Sequence, residues 1–271
     1  MHSNLCYFNG ELIPYDQLTL HVSDLLFQRG YGIFDFFRAR NGNLVWLEDY
    51  CDRLFNSTKL AGIELETNRN TFRSIILELQ NKNGLENGAF KVIVSGGYSD
   101  TLDSVTGSSN LMILNVPWNK PPLSTFEEGV FLISSNYIRP HAEIKTLNYF
   151  NTLSLRKRMA EFRAADVLLY GKYVSEASRA NLFFVKNGEI VTPGKDILHG
   201  ITRKQVLKMV PGIRIENVEA ETMYDFDEIF MTSTSRDVTP VVRIDGIKIG
   251  NGRPGKITRD VMNLFNNANT V

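Results

Sequence analysis

Only two cysteines, Cys6 and Cys51, occur in the 271 residues, far apart and without metal-ligand spacing. That excludes a disulfide-stapled scaffold and a cysteine-built metal centre, and a reduced pair is the expected state. Net charge is equally scarce, because thirty basic residues balance thirty acidic ones. No block of like charge is present, so neither nucleic acid nor an anionic membrane is expected as a partner. A chain near zero net charge leaves self-association unopposed. Long apolar runs are missing too. Nowhere do about 18 apolar residues follow one another, and no membrane span is expected. The opening MHSNLCYFNGELIPY lacks a basic head followed by an apolar stretch, so it does not read as a signal peptide. His21, His141 and His199 stand apart without metal-site spacing, and no metal is expected. A cytoplasmic protein is the expectation.

What is present is ordinary for a globular chain: 43% hydrophobic and 22% charged residues, enough for one large domain or two medium ones. Asn9-Gly10 in CYFNGELI marks a two-residue hairpin, and YGIFDFFRARNGNLVWL reads as a second, turning at Asn41-Gly42. From Leu47 the period changes. Leu47, Cys51, Leu54, Phe55, Thr58 and Ala61 share one helical face, and Gly62 supplies a stop. A second helix is expected over Thr71–Gln80, then strands in AFKVIVSGG and NLMILNV. PWNKPPLST, residues 117–125, has three prolines and little to bury, and reads as a linker between domains 1–116 and 126–271. Beyond it the pattern gives a strand over Val130–Ser134, a helix over Asn151–Arg163 and two strand hairpins, the second turning at Asn187-Gly188. A helix from Thr202, strands around 213–218 and 228–233, a pair turning at Asp245-Gly246 and a helix from Gly255 complete it. The expected class is α+β, in two domains with strands and helices in separate layers.

Four segments carry possible chemistry. EIKTLNY places Lys145 after an isoleucine, with Asn148 and Tyr149 three and four residues on. Its amine either reaches water from an apolar stem or is kept partly dry and made nucleophilic. YVSEASRANLFFV holds Glu176 and Arg179 beside a small-residue turn, Ala177-Ser178-Arg179-Ala180, which faces either solvent or a cleft. ILHGITRKQVL sets Gly200 and Thr202 at a helix start, where an anion or a plain cap is equally served. IFMTSTSRDVTPV adds a hydroxyl cluster, Thr232-Ser233-Thr234-Ser235, at a strand end. A lysine, a carboxylate and two anion cradles are what pyridoxal 5'-phosphate (PLP) requires.

RGYGIFDFFRARNG, LEDYCDRLFNSTKLAGI, EIKTLNYFN, SEASRANLFFVKNGEIVTP, ILHGITRKQVL and MTSTSRDVTPV follow one another in this order. In that order they resemble the class IV, or fold-type IV, PLP-dependent aminotransferases, from about residue 20 to the C-terminus. That family includes branched-chain amino-acid aminotransferases, D-amino-acid aminotransferases and aminodeoxychorismate lyases. The resemblance implies a small N-terminal α/β sandwich and a larger C-terminal domain with a β-barrel-like sheet and helices. It implies a homodimer whose active site is partly completed by the partner's N-terminal domain. It assigns Lys145 as the Schiff-base lysine and α-proton base, Tyr149 to the cofactor's phenolate oxygen and Glu176 to the pyridine nitrogen. Arg53, Ile201 (backbone), Thr202, Ser233 and Thr234 fall to the phosphate. The implied substrates are an amino acid and a 2-keto acid, with D-amino acids favoured. Branched-chain L-amino acids, a PLP lyase and a non-catalytic PLP-binding relative are the alternatives.

The sequence departs from that pattern around the substrate. Gly96 falls where D-amino-acid aminotransferases place a carboxylate-binding arginine on a strand. Arg29 stands where an apolar or aromatic residue is more usual, and Arg179 where relatives have a small one. These two arginines are expected either to replace the missing anchor, Arg29 from the neighbouring subunit, or to form structural ion pairs with residues such as Asp35 or Asp24. Asp35-Phe36 after Gly32-Ile-Phe34, where the lyases tend to carry threonine, argues against a lyase. Tyr31, Phe34, Phe36 and Tyr98 either build an apolar substrate pocket or belong to the core. Ser235 completes the expected substrate residues, and Arg139 and His141 either line the cleft or are structural.

Overall fold

The structure is a computed structural model that describes residues 4–268, so positions 1–3 and 269–271 of the expected domains lie outside it. It divides into two compact units. The first runs to Asn119 and also takes Ile144–Asn148; the second is Lys120–Glu143 together with Tyr149 onward. The chain-order boundary thus falls inside the proline-rich segment, and five residues around Lys145 belong to the first unit, a split the sequence pattern did not suggest. Their reason is pairing with a strand of that unit: Phe34 N–H donates to Lys145 O at 2.9 Å and Leu147 N–H to Gly32 O at 3.2 Å.

The first unit contains β1 (Leu5–Phe8), β2 (Glu11–Pro14), α1 (Leu25–Arg29), β3 (Gly32–Arg40), β4 (Asn43–Leu44), α2 (Leu47–Ala61), α3 (Arg69–Asn83), β5 (Gly88–Ser95) and β6 (Asn110–Val116). Its six strands form one sheet in the order β2-β1-β6-β5-β3-β4. Phe37 of β3 stacks on Phe90 of β5 at 5.3 Å and meets Tyr50 of α2 at 5.5 Å. Leu54, Phe72, Ile76 and Leu79 of the two long helices are buried with them. α2 ends at Gly62, whose φ of +67° is the left-handed stop expected there. The arm after Asn41-Gly42 is shorter than expected, because Trp46 takes φ +52° and turns the chain into α2.

The second unit contains α4 (Ser124–Glu127), β7 (Val130–Asn136), α5 (Phe150–Ser154), α6 (Arg156–Glu161), β8 (Asp166–Tyr170), β9 (Tyr173–Ala177), β10 (Asn181–Lys186), β11 (Glu189–Thr192), α7 (Ile201–Met209), β12 (Arg214–Ile215), β13 (Val218–Glu219), β14 (Glu228–Ser233), β15 (Asp237–Ile244), β16 (Ile247–Lys248) and α8 (Lys256–Ala268). Its ten strands form one curled sheet, β12-β11-β10-β14-β15-β7-β8-β9-β13, with β16 on β15. Leu132, Leu168, Leu182, Phe184, Met231 and Val241 pack one of its cores. The single helix expected over 151–163 is two, broken at Leu155. Ser154 Oγ donates to Asn151 O at 2.7 Å, a local bond that competes with the helical ladder. The expected strand 213–218 is also two, since β12 pairs with β11 and β13 with β9 at the opposite edge. All four expected Asn-Gly or Asp-Gly turns have positive φ at both central residues, the geometry that matches strand twist.

One buried carboxylate organises the entry to β3. Asp24 accepts from Leu26 N–H at 2.7 Å, Ser95 Oγ at 2.6 Å and Asn110 Nδ2 at 2.6 Å. Asp24→Ala should therefore cost roughly 3 kcal/mol, because it uncaps α1 and strands two buried donors. Urea unfolding monitored by tryptophan fluorescence checks this; a loss below about 1 kcal/mol would contradict it.

Candidate active site

In the second unit, Glu176 projects from β9 and is only 3% exposed. Its Oε1 accepts from Arg139 Nη2, and its Oε2 accepts from Leu198 N–H at 2.8 Å. Leu198 O in turn accepts from Asn181 Nδ2 of β10 at 2.8 Å. The N–H and C=O of Leu198 are thus fixed to residues of β9 and β10, three residues before α7 begins. Gly200, at the head of α7, offers no side-chain cap. A Cβ there would lie 2.1 Å from Asn181 Oδ1, so close an approach needs glycine. Thr202 Oγ1 is buried without a hydrogen-bond partner. The helix head, with its outward N–H groups and an unanswered buried hydroxyl, is suited to an oxyanion. Ser233 ends β14, and its Oγ accepts from Arg236 N–H at 3.2 Å and lies 3.5 Å from Ser235 Oγ. The hydroxyl cluster is therefore a hydroxyl-braced turn, with Thr234 and Ser235 at its tip.

Tyr149 belongs to this unit. Burial pushes its hydroxyl above the ordinary tyrosine range; Arg139 and Arg179 oppose the shift while Asp166 and Glu176 add to it. The structure thus brings Tyr149, Glu176 and Arg179 into one electrostatic neighbourhood. Arg179 makes two contacts within this unit: its Nε lies 3.4 Å from Asp166 Oδ2, and Nη2 donates to Ala165 O at 2.8 Å. Arg236 joins the same acceptors, at 3.8 Å from Asp166 and 3.2 Å from Ala165 O. The turn carrying Arg179 closes as expected, with Ala177 N–H donating to Ala180 O at 2.8 Å.

In the first unit, Lys145 is half-buried and its Nζ lies 4.5 Å from the Phe34 ring centroid. Phe34 and Phe36 share the β3 face opposite the buried Ile33, Asp35 and Phe37, so neither is a core residue. Arg53 grips Asp35 by two bonds, Nε to Oδ2 at 2.9 Å and Nη2 to Oδ1 at 2.5 Å. Asp35 and Asp24 therefore hold neither Arg179 nor Arg29. The exposed Arg29 lies 3.6 Å from Asp103. Tyr31 donates its hydroxyl to Ala61 O at 2.7 Å and lays its ring against Gly96, where a Cβ would fall 2.2 Å from Cδ1. Tyr31, Glu64, Glu66 and Gly96 line a cavity of about 510 Å³. A cavity of about 540 Å³ in the second unit, bordered by Phe126, Asp237, Arg259 and Met262, contains none of the expected site residues.

Two contributors carry little signal in the sequence. Asn181 follows directly on the Ala177–Ala180 turn and reads only as the start of a strand. Asp166 does not stand out as a site residue. The one sign of it is an acidic residue opening an apolar strand, ADVLLY, where a buried charge demands partners.

The family profile described as Amino-transferase class IV matches residues 32–244. A Methanocaldococcus jannaschii protein provisionally named branched-chain-amino-acid aminotransferase is 31% identical over 97% of this chain and 96% of its own length. D-alanine aminotransferase of Bacillus licheniformis is 28% identical over 96% of this chain and 95% of its own. Among solved structures, the T.th. branched-chain amino acid aminotransferase with pyridoxamine 5'-phosphate superposes with a TM-score of 0.90. It has 24% identity and covers 99% of this chain and 94% of its own.

Two expectations follow from the geometry. Gly200→Ala should lower stability by about 2 kcal/mol through the clash with Asn181, and adding Asn181→Ala should return part of that loss; urea unfolding of the three variants checks it. Tyr149 holds its proton in the folded state where the unfolded chain has released it. Its contribution to stability is present below the ordinary tyrosine value and is lost as pH rises through the raised folded value. Tyr149→Phe should therefore flatten the alkaline fall in stability. An unchanged slope in urea midpoints on going from neutral to strongly alkaline pH would count against the burial assigned to this hydroxyl.

Proposed function

Because the chain belongs to the class IV amino-transferases, we propose that it moves an amino group between an amino acid and a 2-keto acid, with PLP as cofactor. The observation that supports this most directly is the placement of a buried carboxylate and an uncapped helix head on either side of one residue, Leu198. PLP has a basic ring nitrogen at one end and a phosphate at another. Glu176 suits the first, and the unanswered Thr202 hydroxyl with the α7 N–H groups suits the second.

Bound there, PLP supplies an electron sink for the charge left on the substrate's α-carbon when its proton is removed. Lys145 is assigned to carry the cofactor, and its Nζ to take the α-proton and return it as general base and acid. Ile201 and Thr202 N–H, the Thr202, Ser233 and Thr234 hydroxyls and Arg53 would hold the phosphate oxygens. Glu176, as a carboxylate, would accept a hydrogen bond from the protonated ring nitrogen. Tyr149, kept protonated by its surroundings, donates to the phenolic oxygen. Tyr31, Phe34 and Ser235 are assigned to the substrate. Arg29 and Arg179 are assigned to the substrate carboxylate, for which each would exchange a long contact, 3.6 Å to Asp103 and 3.4 Å to Asp166. Assembly as a homodimer in the cytoplasm belongs to the same proposal. Phe150, 81% exposed, and Leu153 are large apolar side chains that a subunit contact would cover.

D-amino acids are the first reading of the substrate. One observation favours a second reading, branched-chain L-amino acids: the Tyr31 ring fills the space in front of Gly96, so the D-specific arginine has no room to start. Visible absorption of the PLP-loaded protein, titrated without oxygen, separates the two. Bleaching of the lysine-bound band by D-alanine and D-glutamate alone supports the first, and bleaching by L-leucine alone the second. Lys145→Ala should abolish the band and lower turnover by roughly a thousandfold or more. A wild-type protein that acquires no such band would sink the proposal.

A further inference from the structure

Glu176 meets its arginine differently from another buried pair, that of Arg53 with Asp35. Arg53 and Asp35 form a two-bond fork, in which one guanidinium takes both carboxylate oxygens. That is the arrangement that maximises the strength of an arginine–carboxylate pair. Arg139 instead approaches Glu176 end-on, through Nη2 to Oε1 alone, and the same nitrogen donates to Ala142 O at 3.1 Å. Its Nε is buried without a hydrogen-bond partner, although the residue is only 8% exposed. The second oxygen of Glu176 accepts from Leu198 N–H, from another element. Arg139 and Leu198, two donors of separate origin, each reach one oxygen of the carboxylate, and neither chelates it.

Removing a charge from water costs far more than a fork left unmade, so the end-on geometry needs a reason. A buried carboxylate with no cation beside it takes up a proton, whereas a guanidinium in contact keeps it ionised. The difference matters for any nitrogen base bound to it. A carboxylate can only accept from a protonated ring nitrogen, while a carboxylic acid can donate to a neutral one. We propose that Arg139 is a positioning residue: by holding Glu176 as an oriented carboxylate, it keeps the shared proton on the ring nitrogen of PLP and so sets the strength of the electron sink. One proton changes its resting place between Glu176 and the ring nitrogen; nothing else is transferred. Through Ala142 O the same guanidinium also braces the turn from which the chain runs on to Lys145. This inference rests on the assignment of Glu176 to the ring nitrogen made above.

The test uses PLP carrying 15N in its ring, loaded onto wild type, Arg139→Lys, Arg139→Gln, Arg139→Met, Glu176→Gln and the Glu176→Gln/Arg139→Met double variant. The 15N resonance should sit at its protonated position in the wild type and move toward the neutral position in Arg139→Gln and Arg139→Met. Arg139→Lys should recover most of the protonated signal. Turnover, kcat, should fall by about a hundredfold in the neutral variants with KM changed less than about threefold. In the Glu176→Gln background, Arg139→Met should add no further loss, since the two residues act as one unit. Circular dichroism establishes folding, and Arg139→Gln carries the reading if the methionine variant does not fold. Unmoved resonances in the neutral variants, or additive losses in the double variant, overturn the proposal. A neutral ring nitrogen in an active wild type overturns it too, while leaving transamination intact. Absence of any bound cofactor in the wild type would instead count against the function itself.

Discussion

Leu198 gives its N–H to a buried carboxylate and its C=O to a buried amide, and this double tether governs the geometry of the second unit's site. Without it, the residues leading into α7 would be a loop able to choose among conformations, and the helix head would point wherever that loop allowed. With it, the start of α7 is registered to β9 and β10, both buried strands of the sheet. The requirement then propagates. Asn181 must keep its amide turned toward Leu198, so the space it occupies is closed to a side chain at position 200. A glycine, an asparagine and a glutamate from three elements are thus one constraint.

Much of this was legible in the letters of the sequence. Four Asn-Gly or Asp-Gly dipeptides marked four turns because few residues tolerate positive φ at both central positions. Gly62 marked the end of α2 for a related reason, and the small-residue turn at 177–180 was visible from its lack of bulk. What failed were features that the periodicity of apolar residues does not show. A serine hydroxyl bonding backward split the helix at Leu155, and opposite sheet edges recruited Arg214–Ile215 and Val218–Glu219 separately. The split of the strand depends on partners elsewhere in the chain, β11 for one piece and β9 for the other.

Charges were the hardest to read. The sequence showed that Arg29 and Arg179 were unusual, and it supplied candidate acids, Asp35 and Asp24. The structure gives both acids to other groups: Asp35 to Arg53, and Asp24 to a helix head, a serine and an asparagine. Arg179 turns to Asp166, which also draws Arg236, so one fully buried acid serves two cations. Ion pairing is a question of who is nearest in space, and spacing along the chain carries almost none of that information.

The contact between Gly96 and Tyr31 has a consequence for how such a protein changes over time. Any side chain at 96 must begin 2.2 Å from the Tyr31 ring, while that ring is tied through its hydroxyl to Ala61. A substitution at 96 alone is therefore disfavoured whatever selective advantage its new group would bring. Position 31 has to yield first, and its change is unrewarded until 96 follows. The pair forms an epistatic lock: two sites of one cavity wall drift together or not at all.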